Sequence, residues 1–168
     1  MSSALSNPRR PFTDDAYLYS YSHVHVFYEV DHFLWVANLI DKGALIRGSS
    51  PMRVKNILVE AFVLHFRNVI DFLYPRDRVR TDDVTARDFI PAGNWDDIIP
   101  TISASLLDAR IRADKELMHL TTARKSDTDP DKPWDTMAIA NELRPILKLF
   151  CDNAATTRLS PRLAQLIA

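Results

Sequence analysis

The stretch that decides the fold is Ile102-Ser-Ala-Ser-Leu-Leu-Asp-Ala-Arg-Ile-Arg-Ala-Asp-Lys-Glu-Leu-Met-His-Leu120. Drawn as a helix at about 100° per residue, it places a narrow polar line between two apolar ridges. A helix with one solvated face would instead show a single apolar stripe and a broad polar side. The pattern therefore predicts a helix that is covered on two sides. The polar line consists of Ser105, Asp108, Arg112, Lys115, Glu116 and His119; one ridge holds Ile102, Ala109, Ala113, Leu117 and Leu120, and the other holds Leu107, Ile111 and Met118.

The composition also favours helices and a soluble protein. The chain has 168 residues, of which 46% are hydrophobic and 26% charged, as is usual for a globular domain. It contains only three glycines, fewer than the turns of a β-rich fold of this size would need. The single cysteine, Cys151, excludes an intrachain disulfide, and no apolar run approaches the roughly 20 residues of a membrane span. We expect a cytoplasmic protein that does not associate with membranes.

The net charge limits the ways in which the chain could bind nucleic acid. It is -1, from 21 basic and 22 acidic residues. A protein that holds nucleic acid through its phosphate backbone alone is strongly basic. Any contact with RNA or a nucleotide must therefore be local, and the segment 110–125 is the most basic candidate.

Start and stop signals for helices divide the chain into a flexible N-terminal arm, 1–13, and one helical domain, 14–168. Within the domain we predict four long helices, over 14–42, 51–73, about 101–122 and about 133–153, and a short final turn from Ser160. The third could begin as early as Asn94, and Pro145 should kink the fourth. Phe89, Ile90 and Trp95 look like anchors for the long segment 75–99. The sequence thus predicts an all-α, four-to-five-helix bundle with one long crossover between helices 2 and 3.

The second predicted helix carries its own polar line, which includes Glu60, Arg67 and Asp71. Arg67 and Asp71 have the spacing of an i,i+4 ion pair. Glu60 has no partner on its own helix and could reach Arg112 or His119. The alternative is an internal ion network that fixes the register of the bundle.

Arg112 and His119 lie seven residues apart on one face of the third helix and combine two kinds of chemistry. Histidine can give or take a proton near neutral pH. Arginine stays charged and presents a planar set of donors to a phosphate or carboxylate. Together they suit cleavage of a phosphodiester bond without a metal ion.

The segment Arg112-Ala-Asp-Lys-Glu-Leu-Met-His119 resembles the HEPN superfamily, small all-helical proteins of prokaryotic defence and toxin systems. Their hallmark is an arginine, four to six residues, and then a histidine, near the end of a late helix. The resemblance implies a homodimeric, metal-independent endoribonuclease that needs no cofactor, with Arg112 on the scissile phosphate and His119 handling protons. It also allows a catalytically silent relative that binds RNA or a nucleotide, and an antitoxin protein as partner.

The rest of the match is looser. Glu60 and Arg67-Asn68 are compatible with supporting roles, as are Asp114, Lys115 and Glu116 around the motif. Family members often have a polar residue directly after the arginine, where this chain has Ala113. That role could pass to Asp114 or Lys115, or the site could be inactive.

Two other functions fit parts of the sequence. Glu-x-x-His occurs at Glu29–His32 and Glu116–His119, and with Glu60 and Glu142 it forms the ligand inventory of a ferritin-like di-iron bundle. Against this, arginines share the faces of the proposed ligands and would repel a dinuclear cation. The third possibility is a non-catalytic helical interaction module, in which the polar lines are structural networks.

Overall fold

The computed structural model describes residues 14–43, 50–76, 79–90, 95–116 and 133–168. These residues form helices and connecting turns and contain no strand, which confirms the predicted all-helical bundle. The predicted arm, 1–13, lies outside them. The α-helices are α1 (Asp15–Tyr21), α2 (Phe27–Asp41), α3 (Pro51–Leu73), α4 (Trp95–Ile98), α5 (Ala104–Glu116), α6 (Thr136–Asn153) and α7 (Pro161–Ile167).

The first predicted helix is continuous but not regular. Asp14 caps it by accepting a hydrogen bond from the backbone N–H of Tyr17, as its position before an apolar run predicts. Between α1 and α2 the chain makes a π-helical turn, Ser22–Val26. The buried hydroxyl of Ser22 donates to the carbonyls of Tyr19 and Arg158 and accepts from the backbone N–H of Ser160. The widened turn therefore coincides with the point where the C-terminal segment is tied to the first helix.

Helix α3 has the bounds that its sequence signals predict. Ser50 is extended, Pro51 takes the first helical position, and the helix ends at Leu73, two residues before Pro75. It packs against α2 through aromatic side chains that are fully buried, with the rings of Phe33 and Phe62 5.3 Å apart. Burying each such side chain contributes about 1.5–3 kcal/mol, so this pair of helices forms the centre of the core.

The crossover is anchored as predicted. Phe89, Ile90 and Trp95 are all buried. The indole N–H of Trp95 donates to the carbonyl of Leu73 at 2.6 Å, which satisfies a helix-end carbonyl inside the core. The ring of Phe89 packs edge-on against Phe150 of α6. These contacts close the crossover onto the ends of α3 and α6.

The third predicted helix begins later than its earliest predicted start. Residues 95–98 form a separate turn, α4, and Pro100 separates this turn from α5. Proline disfavours helical geometry in the residue before it, which accounts for the break. The described part of α5 ends at Glu116, so the predicted extension to about 122 lies outside the described residues. Among those that are described, none of the helices combines the length and apolar character needed to cross a bilayer.

Candidate functional site

The polar line of α5 lies along the boundary with α6 and the segment before it. Near the start of α5, the hydroxyl of Ser105 donates to both carboxylate oxygens of Glu142, at 2.8 and 3.1 Å. Two turns later, the guanidinium carbon of Arg112 lies 4.2 Å from the ring centre of Trp134. A longer contact, 3.5 Å, joins Arg112 Nη1 to the carbonyl of Pro133. The side chain of Glu116 and all of His119 lie outside the described residues.

The two apolar ridges beside this line have different environments. Ala109 and Ala113 on one ridge are buried in the core. Leu107 and Ile111 on the other ridge are 41% and 43% exposed. The sequence predicted that both ridges would be covered by other parts of the protein. In the described part of a single chain, only the ridge with Ala109 and Ala113 is covered. Ala113 is 1% exposed, so the residue that follows Arg112 serves packing in this protein.

A network of alternating charges joins α5 to α3 and to the crossover. Asp114 Oδ1 lies 3.0 Å from Arg67 Nε, and Asp114 Oδ2 accepts a hydrogen bond from Arg76 at 2.6 Å. Asp71 in turn binds Arg76 and Arg110. Burial alone would lower the pKa of Arg76, but its hydrogen bonds and ion pairs with Asp114 and Asp71 raise it. We call Arg67, Asp71, Arg76, Arg110 and Asp114 the Arg/Asp network.

The Arg67–Asp114 contact is an ion pair rather than a hydrogen bond. Both Arg67 Nε and Asp114 Oδ1 are buried, and within the described structure neither has a hydrogen-bonding partner in good geometry. Their separation of 3.0 Å still gives strong Coulomb attraction, since that energy depends on distance more than on angle. The contact therefore holds α3 and α5 together by electrostatic attraction, without a well-aligned hydrogen bond between these two atoms.

The residues predicted to support the motif are only partly brought together. Arg67 reaches α5, but it meets Asp114, which lies about 200° around the helix from Arg112. Glu60 is exposed and makes no hydrogen bond or ion pair with another described residue. Lys115 is exposed as well. No described hydrogen bond or ion pair joins Glu60 or Arg67 to Arg112, and the part of the prediction that concerns His119 lies outside the described residues.

A carboxylate–imidazole pair, of the partly exposed Glu29 and the buried His65, joins α2 to α3, and the sequence pattern did not predict it. Glu29 Oε2 lies 2.7 Å from Nδ1 of His65, and the side-chain amide of Asn68 donates to the same oxygen at 3.0 Å. Burial would raise the pKa of Glu29, but the hydrogen bonds from His65 and Asn68 outweigh it and hold this pKa below its usual value. The available signal was His65 itself, which stands beside Phe66 on an apolar face and must find a partner when buried.

The proposed di-iron ligands do not converge in the described structure. Glu29 is bound to His65, and Glu142 accepts from Ser105. Across the described residues, no group of three or more His, Cys, Asp or Glu side chains is arranged to hold a metal ion. The ligands predicted at Glu116 and His119 lie outside this part of the chain.

A cleft of about 710 Å³ opens beside the Arg/Asp network. Its walls come from residues 21–30, which run from the end of α1 through the π-helical turn into α2, from residues 67–72 of α3, and from described residues of the crossover between 75 and 85. Arg67, Asp71 and Arg76 of the network line it, so the network forms part of its floor. Ligand clefts in proteins commonly have volumes of about 300–1,000 Å³.

Known proteins offer no match from which a function could be carried over. No protein-family model matches the chain, and no significant match occurs among curated proteins or solved structures. The residues of this chain are therefore the basis for inferring its function.

Proposed function

We propose that the protein is a HEPN-like endoribonuclease that cleaves RNA without a metal ion, using Arg112 and His119. The observation that supports this most is the position of Arg112 against Trp134. Stacking uses the flat face of the guanidinium, whereas its N–H donors point outward in the plane. The stacked face holds the arginine in place, and the edge of the guanidinium, which contacts the carbonyl of Pro133 in this structure, is the part that would bind a phosphate.

The chemistry needs one positive group and one proton carrier. In the proposed reaction the 2′-oxygen of a ribose attacks the adjacent phosphorus, and the bond from phosphorus to the 5′-oxygen breaks. His119 takes the proton from the 2′-hydroxyl or delivers one to the leaving 5′-oxygen. Arg112 binds the non-bridging oxygens, whose negative charge increases in the transition state.

The exposed ridge on α5 supports a homodimer as the working form. Leu107 and Ile111 lie directly beside the polar line that contains Arg112 and are over 40% exposed in the single chain. A two-fold contact through this ridge would bury both side chains and bring the two polar lines to face each other. RNA would then bind in the channel between the subunits.

The cellular setting follows from the resemblance. A nuclease of this kind would act in the cytoplasm, in a toxin or defence system, and an antitoxin protein would restrain it. The balanced net charge of the chain fits a nuclease that grips RNA locally rather than along the whole backbone. If the protein does not cleave RNA, the alternative is a non-catalytic helical interaction module.

The proposal is tested by incubating the purified protein with single-stranded RNA in the presence of excess EDTA. We expect cleavage, with products that end in a 2′,3′-cyclic phosphate. His119→Ala should reduce the rate by about 10²–10⁴-fold, the usual contribution of a proton carrier. His23→Ala is the matched control, because the imidazole of His23 contacts the hydroxyl of Ser160 rather than the Arg112 line, so the change should leave the rate unchanged. Binding of RNA without cleavage by the wild type would identify a silent relative instead.

A further inference from the structure

The cleft beside the Arg/Asp network is separate from the Arg112 line. Arg112 is not among the described residues that line it, and Arg112 contacts Trp134 and Pro133 on another side of α5. The network that forms part of its floor also holds α5 in place through Asp114. The cleft is therefore a second candidate site, and nothing in the proposed cleavage reaction uses it.

One wall of the cleft is aromatic. The ring of Tyr21 lies 4.8 Å from the imidazole of His25, and both side chains line the cleft. Tyr21 is partly buried, and its pKa is raised mainly by this burial, with further contributions from the negative charges of Tyr17, Glu29 and Asp83. A pair of flat rings at the edge of a polar cleft is a surface on which a planar ligand can stack.

The opposite wall is charged, and most of its charges are held in place. Arg67 and Arg76 bind Asp114, so their side chains are fixed before any ligand arrives. Arg80 is different, since its side chain is exposed and makes no ion pair with another described residue. The backbone N–H of Arg80 donates to the carboxylate of Asp83, which fixes the turn that carries it. Arg80 is thus the cation of this wall that remains available to a ligand.

The signs of the charges restrict the type of ligand. The lining includes three arginines and four carboxylates, so the cleft as a whole attracts neither a simple anion nor a simple cation. A ligand that matches it must carry an anionic group for arginine, hydrogen-bond donors for a carboxylate such as the exposed Asp82, and a planar ring. A nucleoside phosphate has all three features, because its base and ribose supply the ring and the donors.

We propose that this cleft binds one nucleoside phosphate unit, with its base against Tyr21 and His25 and its phosphate on Arg80. The unit is either a free nucleotide or one residue of a bound RNA strand, and the two share the same recognition chemistry. Base stacking on an aromatic side chain strengthens binding by about 5–150-fold. A charge-assisted hydrogen bond from arginine strengthens it by about 10–150-fold.

The test is a calorimetric titration of the full chain with the four nucleoside 5′-monophosphates, and a separate titration with a single-stranded hexaribonucleotide in the Arg112→Ala background, where the proposed cleavage is suppressed. Arg80→Ala should weaken binding of the ligand that is recognised by about tenfold or more. Arg53→Ala is the matched control, because Arg53 is exposed at the far end of α3. Tyr21→Leu should weaken binding to a similar extent, whereas Tyr19→Leu, at an exposed tyrosine of the same helix, should not.

The outcomes separate the sources and the two proposals. Binding of mononucleotides identifies a free nucleotide, and binding of the hexamer alone identifies a residue of RNA. If ribose 5-phosphate, which has no base, binds as tightly as the nucleotides, the proposed contact of the base with Tyr21 and His25 is wrong. If neither the mononucleotides nor the hexaribonucleotide binds, or if Arg80→Ala and Arg53→Ala bind them with equal affinity, the proposed site is wrong. Arg112→Ala should retain the affinity for mononucleotides, so loss of cleavage in that variant would leave this inference intact.

Discussion

Asp114 on α5 lies within ion-pair distance of Arg67 on α3, with 3.0 Å between Oδ1 and Nε. Its other oxygen accepts from Arg76 at 2.6 Å. The carboxylate of Asp114 therefore joins α5, which carries Arg112, to α3 and to the start of the crossover. Arg112 is only two residues away, so the ion pairs of Asp114 act on the same turn of the helix that carries Arg112.

We predict that Asp114→Ala lowers the free energy of unfolding by about 1–3 kcal/mol, because it leaves Arg67 and Arg76 with Asp71 as their remaining carboxylate partner in the network. The value should fall in the lower half of this range, since the side chains of Arg67 and Arg76 are 30% and 45% exposed and water screens them. Urea unfolding at neutral pH measures it. Asp108→Ala, at an exposed aspartate of the same helix, is the control. Equal stability of the two variants would show that the network contributes nothing.

The Glu29–His65 pair predicts a loss of stability in acid. The pKa of Glu29 is lower in the folded state than its ordinary value of 4.5, so its contribution is complete above about pH 4.5. It is lost as pH falls through the lowered value. Glu29→Gln should be less stable than the wild type at pH 7 and should lose less of its remaining stability between pH 5 and pH 3.

The control for this pH series is Glu60→Gln, at an exposed carboxylate of the neighbouring helix. It should follow the wild-type curve of unfolding free energy against pH, because Glu60 makes no hydrogen bond or ion pair with another described residue. If Glu29→Gln follows the same curve as Glu60→Gln, the hydrogen bonds from His65 and Asn68 do not stabilise the charged form of Glu29.

The exposed ridge on α5 predicts the site of dimerisation. Ile111→Glu should shift the protein from dimer to monomer in analytical ultracentrifugation, because it places a charge within the proposed seam. Ile57→Glu is a matched change at a still more exposed isoleucine, on α3, and should leave the dimer intact. A wild-type monomer at all concentrations, or a dimer that withstands Ile111→Glu, would disagree with the proposed seam.

The stacking of Arg112 on Trp134 predicts a moderate effect on catalysis. Trp134→Leu should slow RNA cleavage about two- to fivefold, as expected from the loss of an exposed cation–π contact of about 0.5–1 kcal/mol. Steady-state kinetics give the change in kcat/KM. The same stacking occurs between Arg162 and Phe27 elsewhere in the bundle, so Phe27→Leu serves as the control. A loss of rate that is equal in both variants would point to general destabilisation.

The bundle could be predicted from the sequence because its helix ends are set locally. Ser50-Pro51 and Pro75 bound α3, Asp14 caps the first helix, and the bulky apolar residues of the crossover had to be buried. The start of α5 was less certain because Pro100 separates two helical segments that the apolar pattern alone would join. The π turn at Ser22 depends on a contact with the distant C-terminal segment, which no local pattern reveals.

The site was harder to predict because its contacts depend on how the helices are rotated against one another. The i,i+4 spacing predicted the ion pair of Arg67 with Asp71, which is present at 3.9 Å, but it did not predict the shorter contact of 3.0 Å between Arg67 and Asp114. Periodicity shows which residues share a face, but not which face of a neighbouring helix they meet. The bond between Glu29 and His65 was missed for the same reason.

In the proposed mechanism, Arg112 supports RNA cleavage without a metal ion. The most direct test is the single-turnover rate at which the protein cleaves labelled single-stranded RNA in the presence of EDTA. The wild type and Arg53→Ala, a change at an exposed arginine of α3, should cleave at the same rate. Arg112→Ala should be slower by about 10²–10³-fold, as when one stabilising donor is removed from a transition state. Arg112→Lys should remain close to Arg112→Ala, because lysine keeps the charge but loses the planar two-point grip. An unchanged rate in Arg112→Ala, or a wild type that EDTA inactivates, would contradict the proposed mechanism.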